Sequence, residues 1–399
     1  MNILVISSVD PMHASHNRIH ELLSILSSRH QVDIISTYAW WLENLDKRGY
    51  SSDYYKGEIQ ETLSKVRVEY LSKKRQHPII QECLVGINID KILQALQGRD
   101  YQLLFNHGTI LSGLLVSYRF PTVPMIYDIF DDIATMAANS PTVPDFSRPV
   151  VRIVANWLIN KTISRSKIVS LTTPKLASHF QISSEKIQII PNGVNTDLFK
   201  KIDKERAKQS FGLTGKKVIG YVGILREWVD FEMMLGALSK LEKNSIECYL
   251  FVVGGEGRID ELEAKAKIYG VQDRVISIGT LPYSEVPLAI SAMDIGLIPF
   301  GSDTVAMNAL PLKLFEYMAC EVPVISQRIR PVIDAVGDNI LYASNATELA
   351  EKIRLLLSSD SLRSDLGKRG RSIVTSKWNW QSIGKQLEAV LEAAASEKK

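Results

Sequence analysis

Ile3-Leu4-Val5-Ile6-Ser7, the loop Ser8-Val9-Asp10-Pro11-Met12-His13-Ala14-Ser15-His16, a segment with Ile19, Leu22, Leu23 and Leu26, and then Val32-Asp33-Ile34-Ile35-Ser36 together decide the fold. The first run is short and apolar, the pattern of a strand buried on both faces. The loop is polar. Apolar residues at 19, 22, 23 and 26 fall on one face of a 3.6-residue period, so that segment reads as a helix. Val32–Ser36 reads as the next strand. Strand, loop, helix and strand in this order open a parallel α/β sheet.

Working outward, strand patterns recur at Leu103–Asn106, Pro124–Tyr127, Ile168–Leu171 and Ile187–Ile190. The last runs into Pro191-Asn192-Gly193-Val194-Asn195, a turn of residues that tolerate unusual backbone angles. Residues 37–100 are less regular and hold Tyr38-Ala39-Trp40-Trp41 and the basic cluster Lys73-Lys74-Arg75. A polar, Lys-rich stretch at 200–216 reads as a linker. A second series follows, with strands at Val218–Val222, Tyr249–Val253, Val275–Ile278, Ile295–Pro299 and Val322–Ile325. The tail from Trp378 is helical. The expected fold is α/β with two Rossmann-like doubly wound domains, 1–200 and 216–377, joined by 201–215. A helix over 378–399 is expected to cross back to the first domain. Ligands of such sheets bind beyond the carboxyl ends of the strands, so the domains are expected to face each other across a cleft.

Composition is consistent with this. The chain has 399 residues, 45% hydrophobic and 23% charged, enough for two cores. A net charge of +3 is too small a footprint for nucleic acid. All of that excess lies in residues 1–200, which hold 21 Lys/Arg against 18 Asp/Glu. Cys83, Cys248 and Cys320 are far apart and show neither metal spacing nor a disulfide framework, which suits a reducing compartment. The N-terminus lacks a signal-peptide pattern, and no run reaches the ~18 apolar residues of a membrane span. The expected location is cytoplasmic, at most peripheral at the inner face of the cell membrane.

The chemistry centres on Pro311-Leu312-Lys313-Leu314-Phe315-Glu316-Tyr317-Met318-Ala319-Cys320. Lys313 and Glu316 are three apart and share a helix face. Pro311 suits a first-turn position. A helix N-terminus with Lys313 beside it can hold a pyrophosphate, and Glu316 one turn in can accept hydrogen bonds from ribose hydroxyls. The alternative is an ordinary ion pair on a surface helix. Gly254-Gly255-Glu256-Gly257 follows an apolar run and can aim N–H groups at a phosphate or serve as a tight turn.

The segment does not stand alone. With Ile190–Asn195, Gly220-Tyr221-Val222-Gly223, Val253–Gly257, Met293–Pro299 and Pro323-Val324-Ile325, the chain resembles family-four, group 1 glycosyltransferases of the GT-B superfamily. Leu225-Arg226-Glu227-Trp228-Val229-Asp230 and the Pro-Leu-Lys-Leu-Phe-Glu-Tyr segment resemble a Trp-x-Asp subgroup of surface-polysaccharide enzymes. The Arg and Lys usual after the Gly223-like glycine are replaced by Ile224 and Val229. The first of two usual glutamates is replaced by Asn308.

The resemblance implies a donor site from Gly223, Trp228, Asp230, Gly254, Gly255, Leu281, Tyr283, Leu310, Pro311, Leu312 and Glu316. Arg226 and Lys313 would supply positive charge to the diphosphate. In Tyr127-Asp128-Ile129-Phe130-Asp131-Asp132, Tyr127 stands where relatives carry a histidine. Asp128 or Asp131 would then act as a base toward the acceptor hydroxyl, with a pKa raised by crowding, or would fix the acceptor. The alternative is a solvated acidic loop or helix cap. His13, His16 and His107 are assigned to the acceptor. No third metal ligand accompanies His13 and His16, so no metal is assigned.

The implied reaction moves a sugar from a nucleoside diphosphate sugar, UDP- or GDP-linked, to a glycan or lipid-linked acceptor, with retention and without metal or other cofactor. The rivals are a donor-hydrolysing epimerase of the same fold and a non-catalytic nucleotide-sugar-binding subunit. The basic, apolar run from Arg148 to Lys167 and the Lys73–Arg75 cluster suggest peripheral contact with an anionic membrane. A core-facing helix with a solvated basic side explains the Arg148–Lys167 run equally well.

Overall fold

The computed structural model describes residues 1–14, 16–38, 62, 64–72, 78–96, 99–140, 143–254, 258–301 and 304–396. Trp40, Trp41, Lys73-Lys74-Arg75 and Gly255 lie outside the described residues. The chain divides into two compact units, Met1–Pro191 with Ile383–Lys399, and Asn192–Ser382.

Unit 1 holds a seven-stranded sheet in the order β3-β2-β1-β4-β5-β6-β7 among the described residues. The strands are β1 (Asn2–Ser7), β2 (Gln31–Ser36), β3 (Val66–Tyr70), β4 (Leu103–His107), β5 (Met125–Ile129), β6 (Ile168–Leu171) and β7 (Ile187–Ile189), all paired in parallel. Ile3, Leu4, Val5 and Ile6 have no solvent exposure. A central parallel strand is covered on both faces, which is why its sequence is a continuous apolar run rather than an alternating one. Ile3 sits level with both Val32 and Leu103.

The helices that bear on the argument are α1 (Arg18–Arg29), α2 (Pro78–Ala95), α3 (Ser112–Arg119), α4 (Ile133–Ala138) and α5 (Arg148–Arg165). α1 starts at a capping box. The Asn17 side chain accepts from the helix, and the Asn17 N–H donates to His20 Nδ1 at 3.0 Å. Its stripe Ile19, Leu22, Leu23 and Leu26 is buried.

Unit 2 holds a six-stranded parallel sheet in the order β10-β9-β8-β11-β12-β13 among the described residues. These are β8 (Val218–Gly223), β9 (Tyr249–Gly254), β10 (Val275–Ser277), β11 (Ile295–Ile298), β12 (Val324–Ser326) and β13 (Leu341–Tyr342). Its helices include α6 (Lys204–Ser210), α7 (Phe231–Lys243), α8 (Thr304–Asn308) and α9 (Leu312–Ala319). A last helix, α10 (Trp380–Ala395), begins in unit 2 and runs into the C-terminal part of unit 1.

The linker expectation is corrected here. The unit boundary falls after Pro191, and the Lys-rich stretch is folded. Phe199 and Ala207 are core residues of unit 2. From α6, Lys204 and Lys208 reach Asp294 at 3.1 and 2.9 Å, and Asp294 also accepts the Val218 N–H at 2.9 Å. The lysine stems cover apolar surface while their ammonium groups satisfy a nearly buried carboxylate, so a helix that packs this way looks hydrophilic in sequence.

In each sheet the strand order reverses beside the first strand, at β1/β4 and at β8/β11. Such a switch point leaves a crevice at the carboxyl ends of the strands. The second crevice demands close packing beneath it. A Cβ on Gly220 of β8 would lie 2.1 Å from the sulfur of Met293. Gly220→Ala is therefore expected to destabilise unit 2 by about 1–3 kcal/mol, the usual cost of overpacking. Urea denaturation checks this, and Met293→Ala in the same chain should recover part of the loss.

Candidate active site

At the carboxyl end of β8 in unit 2, Gly223 has φ +120° and Gly254, ending β9, has φ +97°. A Cβ on Gly254 would lie 2.8 Å from the Gly223 carbonyl oxygen. The two turns touch backbone to backbone, and only glycine permits both the torsion and the approach.

Lys313, in the first turn of α9, extends to this place. Its Nζ is 3.8 Å from the centre of the Tyr221 ring and 5.8 Å from that of Phe300. A Cβ on Gly223 would sit 3.0 Å from the same Nζ. Burial pulls the Lys313 pKa down to about 7, with Glu316 opposing the shift. Pro311 caps α9 without a side-chain bond, leaving first-turn N–H groups without a side-chain cap. Glu316, one turn in, is buried and accepts from the Tyr283 hydroxyl at 3.1 Å. The Tyr283 ring lies 5.1 Å from that of Phe199. Leu281 is half-buried against the same core, and Leu310 is buried with its carbonyl taking the Asn192 amide at 2.9 Å. Asn308, at the end of α8, is also buried.

Loop 224–230 is pinned at several points. The Tyr221 hydroxyl donates to the Ile224 carbonyl at 3.0 Å, and the Arg226 carbonyl accepts from Arg258 Nη1 at 2.9 Å. Trp228 packs against both cores of the unit, and its carbonyl takes the Gly301 N–H. The Arg226 side chain is exposed. The Asp230 carboxylate accepts the Met233 N–H at 2.8 Å and caps α7. It holds the loop that carries Arg226.

Unit 1 collects a buried charge cluster at the ends of β4, β5 and β6. Asp128 has no exposure. Arg18 Nη2 and Nε approach its two oxygens at 2.8 and 3.1 Å. His107 Nδ1 lies at 2.8 Å, and the Ser170 hydroxyl donates to it as well. Arg18 also donates to the Pro191 carbonyl at 3.0 Å. Burial alone would raise the Asp128 pKa, but the Arg18 charge and the bonds from His107 and Arg18 hold it well below the usual carboxylate range.

The expectation of a base with a raised pKa at Asp128 is thereby corrected, because its oxygens are occupied by donors. Burial lowers the His107 pKa, and a neutral ring beside the Asp128 carboxylate holds its proton on Nδ1. Nε2 then carries the lone pair. The His107 ring stacks on Phe130 at 4.5 Å. Tyr127 is buried, donating to the Thr109 carbonyl at 2.9 Å. Asp131 accepts the Asp132 N–H, and Asp132 caps α4 through the Thr135 N–H.

The loop histidines are held by neighbours. His13 Nδ1 lies 2.9 Å from Asp10, and His16 Nε2 lies 3.0 Å from Glu21. His16 stacks on His20, whose pKa burial lowers to about 3. Among the described residues no three His, Cys, Asp or Glu side chains are grouped to hold a metal ion. Sequence reasoning missed Arg18, Ser170 and Glu82. Glu82, on α2, accepts the N–H groups of Ile110, Leu111 and Ser112 and so binds the start of α3. Nothing in the sequence flags these three, because their partners lie far along the chain.

Residues 203–373, which lie within unit 2, match the family described as glycosyl transferases group 1. The 2-deoxystreptamine glucosyltransferase of Streptomyces kanamyceticus is 26% identical over 61% of this chain and 63% of its own length. The chain thus spans less than two thirds of that relative. Sucrose-phosphate synthase from Thermosynechococcus elongatus superposes with a TM-score of 0.77 at 17% identity, covering 99% of this chain and 100% of that one. HepE from Anabaena in complex with UDP-glucose gives 0.72 at 17% identity, covering 98% and 100%. These structures show the fold, which is GT-B with two Rossmann-like domains.

The Asp128 cluster yields a stability prediction. The folded pKa is depressed, so the contribution is fully present above the ordinary value of 3.8 and is lost as pH falls below it. Asp128→Asn strands a buried guanidinium and should cost about 3–5 kcal/mol at neutral pH. Denaturation from pH 7 to pH 3 should show the gap between variant and wild type closing below about pH 4.

Proposed function

We propose that the protein is a glycosyltransferase that moves a hexosyl group from a nucleoside diphosphate sugar to a glycan or lipid-linked acceptor, with retention and without a metal. The observation that carries this reading is Lys313, held at the Gly223 turn beside an α9 N-terminus without a side-chain cap, with Glu316 one turn further in. The match of residues 203–373 to group 1 transferases supports it. UDP-glucose in the HepE complex and glucosyl transfer by the Streptomyces relative favour a UDP-hexose donor. The protein would act in the cytoplasm.

In this mechanism the acceptor oxygen bonds to the anomeric carbon as the bond from that carbon to the diphosphate breaks. The electron pair leaves on the diphosphate, and the acceptor proton passes to the departing phosphate oxygen. Negative charge grows on that oxygen, where the α9 N-terminus and Lys313 lower the barrier, joined by Arg226. Glu316 receives the ribose hydroxyls. His107 accepts a hydrogen bond from the acceptor at Nε2, and Asp128 fixes the tautomer that allows it. Gly223, Gly254, Gly255, Leu281, Tyr283, Leu310, Pro311 and Leu312 line the donor in this reading, and Trp228 steadies the loop that carries Arg226.

Glu316→Ala is expected to fold normally and lose about 1–3 kcal/mol of UDP or GDP affinity, the range for a hydrogen bond to a charged group. Calorimetric titration measures this, and near-wild-type affinity for both nucleotides would remove the reading. Transfer from a UDP-hexose should survive EDTA.

Lys313 predicts a pH profile. In the free protein its charge is lost as pH rises through about 7, so diphosphate affinity should fall between pH 6 and pH 9. Lys313→Arg, which stays charged, should flatten that profile.

A further inference from the structure

Helix α5 is apolar on two opposite faces. Ala155, Ile159, Thr162 and Ile163 are buried against unit 1. Val150, Ile153, Val154 and Trp157 are 49–68% exposed. Their i, i+3, i+4, i+7 spacing places them on one stripe, and at 100° per residue that stripe points away from the buried one. Packing against the core therefore accounts for one face of the Arg148–Lys167 run and leaves the other without a partner among the described residues.

The stripe belongs to a layer. α3 packs on α5, and α2 packs on α3. Tyr118 of α3 and Ile80 and Ile87 of α2 are also at least half exposed. Among the described residues of unit 2, the large exposed hydrophobics are Ile268 and Leu355 alone. The concentration on one helical layer marks an interaction surface.

Charge identifies the occupant. Residues 146–184 contain six Lys/Arg and no Asp/Glu. Lys161 Nζ lies 5.8 Å from the Trp157 ring centre, on the stripe. The nearby acids are engaged at the margins, Asp145 by Arg148 and Asp90 by Arg119. A groove of about 630 Å³ runs along α5, and Asn156, Asn160, Ser164, Gln181 and Ser183 give it amide and hydroxyl groups. An apolar stripe with a tryptophan, one sign of charge around it and a polar margin is the composition of a helix that lies in a lipid interface. A second copy of the chain would bring the same positive field against itself.

We propose that the α2–α3–α5 layer of unit 1 docks on an anionic lipid surface, with Val150, Ile153, Val154 and Trp157 entering the headgroup boundary. This inference does not depend on the transferase reading.

The full chain should be sedimented with phosphatidylcholine vesicles and with vesicles of equal phosphatidylcholine and phosphatidylglycerol, at low and moderate salt. The expected result is at least about tenfold stronger binding to the anionic vesicles, weakening with salt. Ile153→Ser/Trp157→Ser and Arg152→Glu/Lys161→Glu should each reduce that binding by about tenfold. All these side chains are exposed, so circular dichroism and thermal melting should be unchanged. Equally weak binding to both vesicles would overturn the proposal, as would anionic binding that ignores both double variants. A concentration-dependent dimer in light scattering, lost in Ile153→Ser/Trp157→Ser, would assign the face to a second copy instead.

Discussion

A carboxylate sunk at the carboxyl edge of a parallel sheet is tolerable only if its charge is matched on the spot, and Asp128 organises unit 1 around that requirement. Its partners come from the start of α1, the ends of β4 and β6, and, through Arg18, the Pro191 carbonyl where unit 1 ends. Four segments far apart in sequence are thereby fixed relative to one another at the switch point of the sheet. Removing any one donor leaves the others facing an under-compensated charge, so the cluster behaves as a single part.

Unit 2 solves a similar problem the other way round. Its prominent charge near the switch point is a cation, Lys313, and what surrounds it is aromatic: the faces of Tyr221 and Phe300. Aromatic faces attract a cation but do not neutralise it. One sheet edge thus presents a satisfied anion and the other a cation poised near half charge.

The sheets were largely legible because central parallel strands are built on continuous apolar runs, such as Ile3–Ile6 in β1, Leu103–Phe105 in β4 and Ile295–Ile298 in β11. β3 and β13 were not. In β3, Arg67 and Glu69 interrupt the run, and Arg67 belongs there because it pairs with the buried Asp33 of β2. β13 is two residues long and leaves almost no signal. The stretch 200–216 misled for a related reason, since Lys204 and Lys208 serve one buried aspartate. The Lys313 and Glu316 neighbourhood could be read from local spacing on one helix. Asp128 could be located but not understood, because Arg18 lies 110 residues away and changes the sign of the pKa argument. Asp230 sits just before an apolar helical stripe, and that ordinary capping pattern was available to be read.

The poise of Lys313 has a further consequence. If the proposed diphosphate binds here, a lysine whose pKa burial brings down to about 7 takes up a proton from solvent as the anion arrives and releases it as the anion departs. Ligand exchange at this edge is then also proton traffic. The heat of nucleotide binding would depend on the ionisation enthalpy of the buffer, and two laboratories using phosphate and Tris would measure different enthalpies for the same affinity.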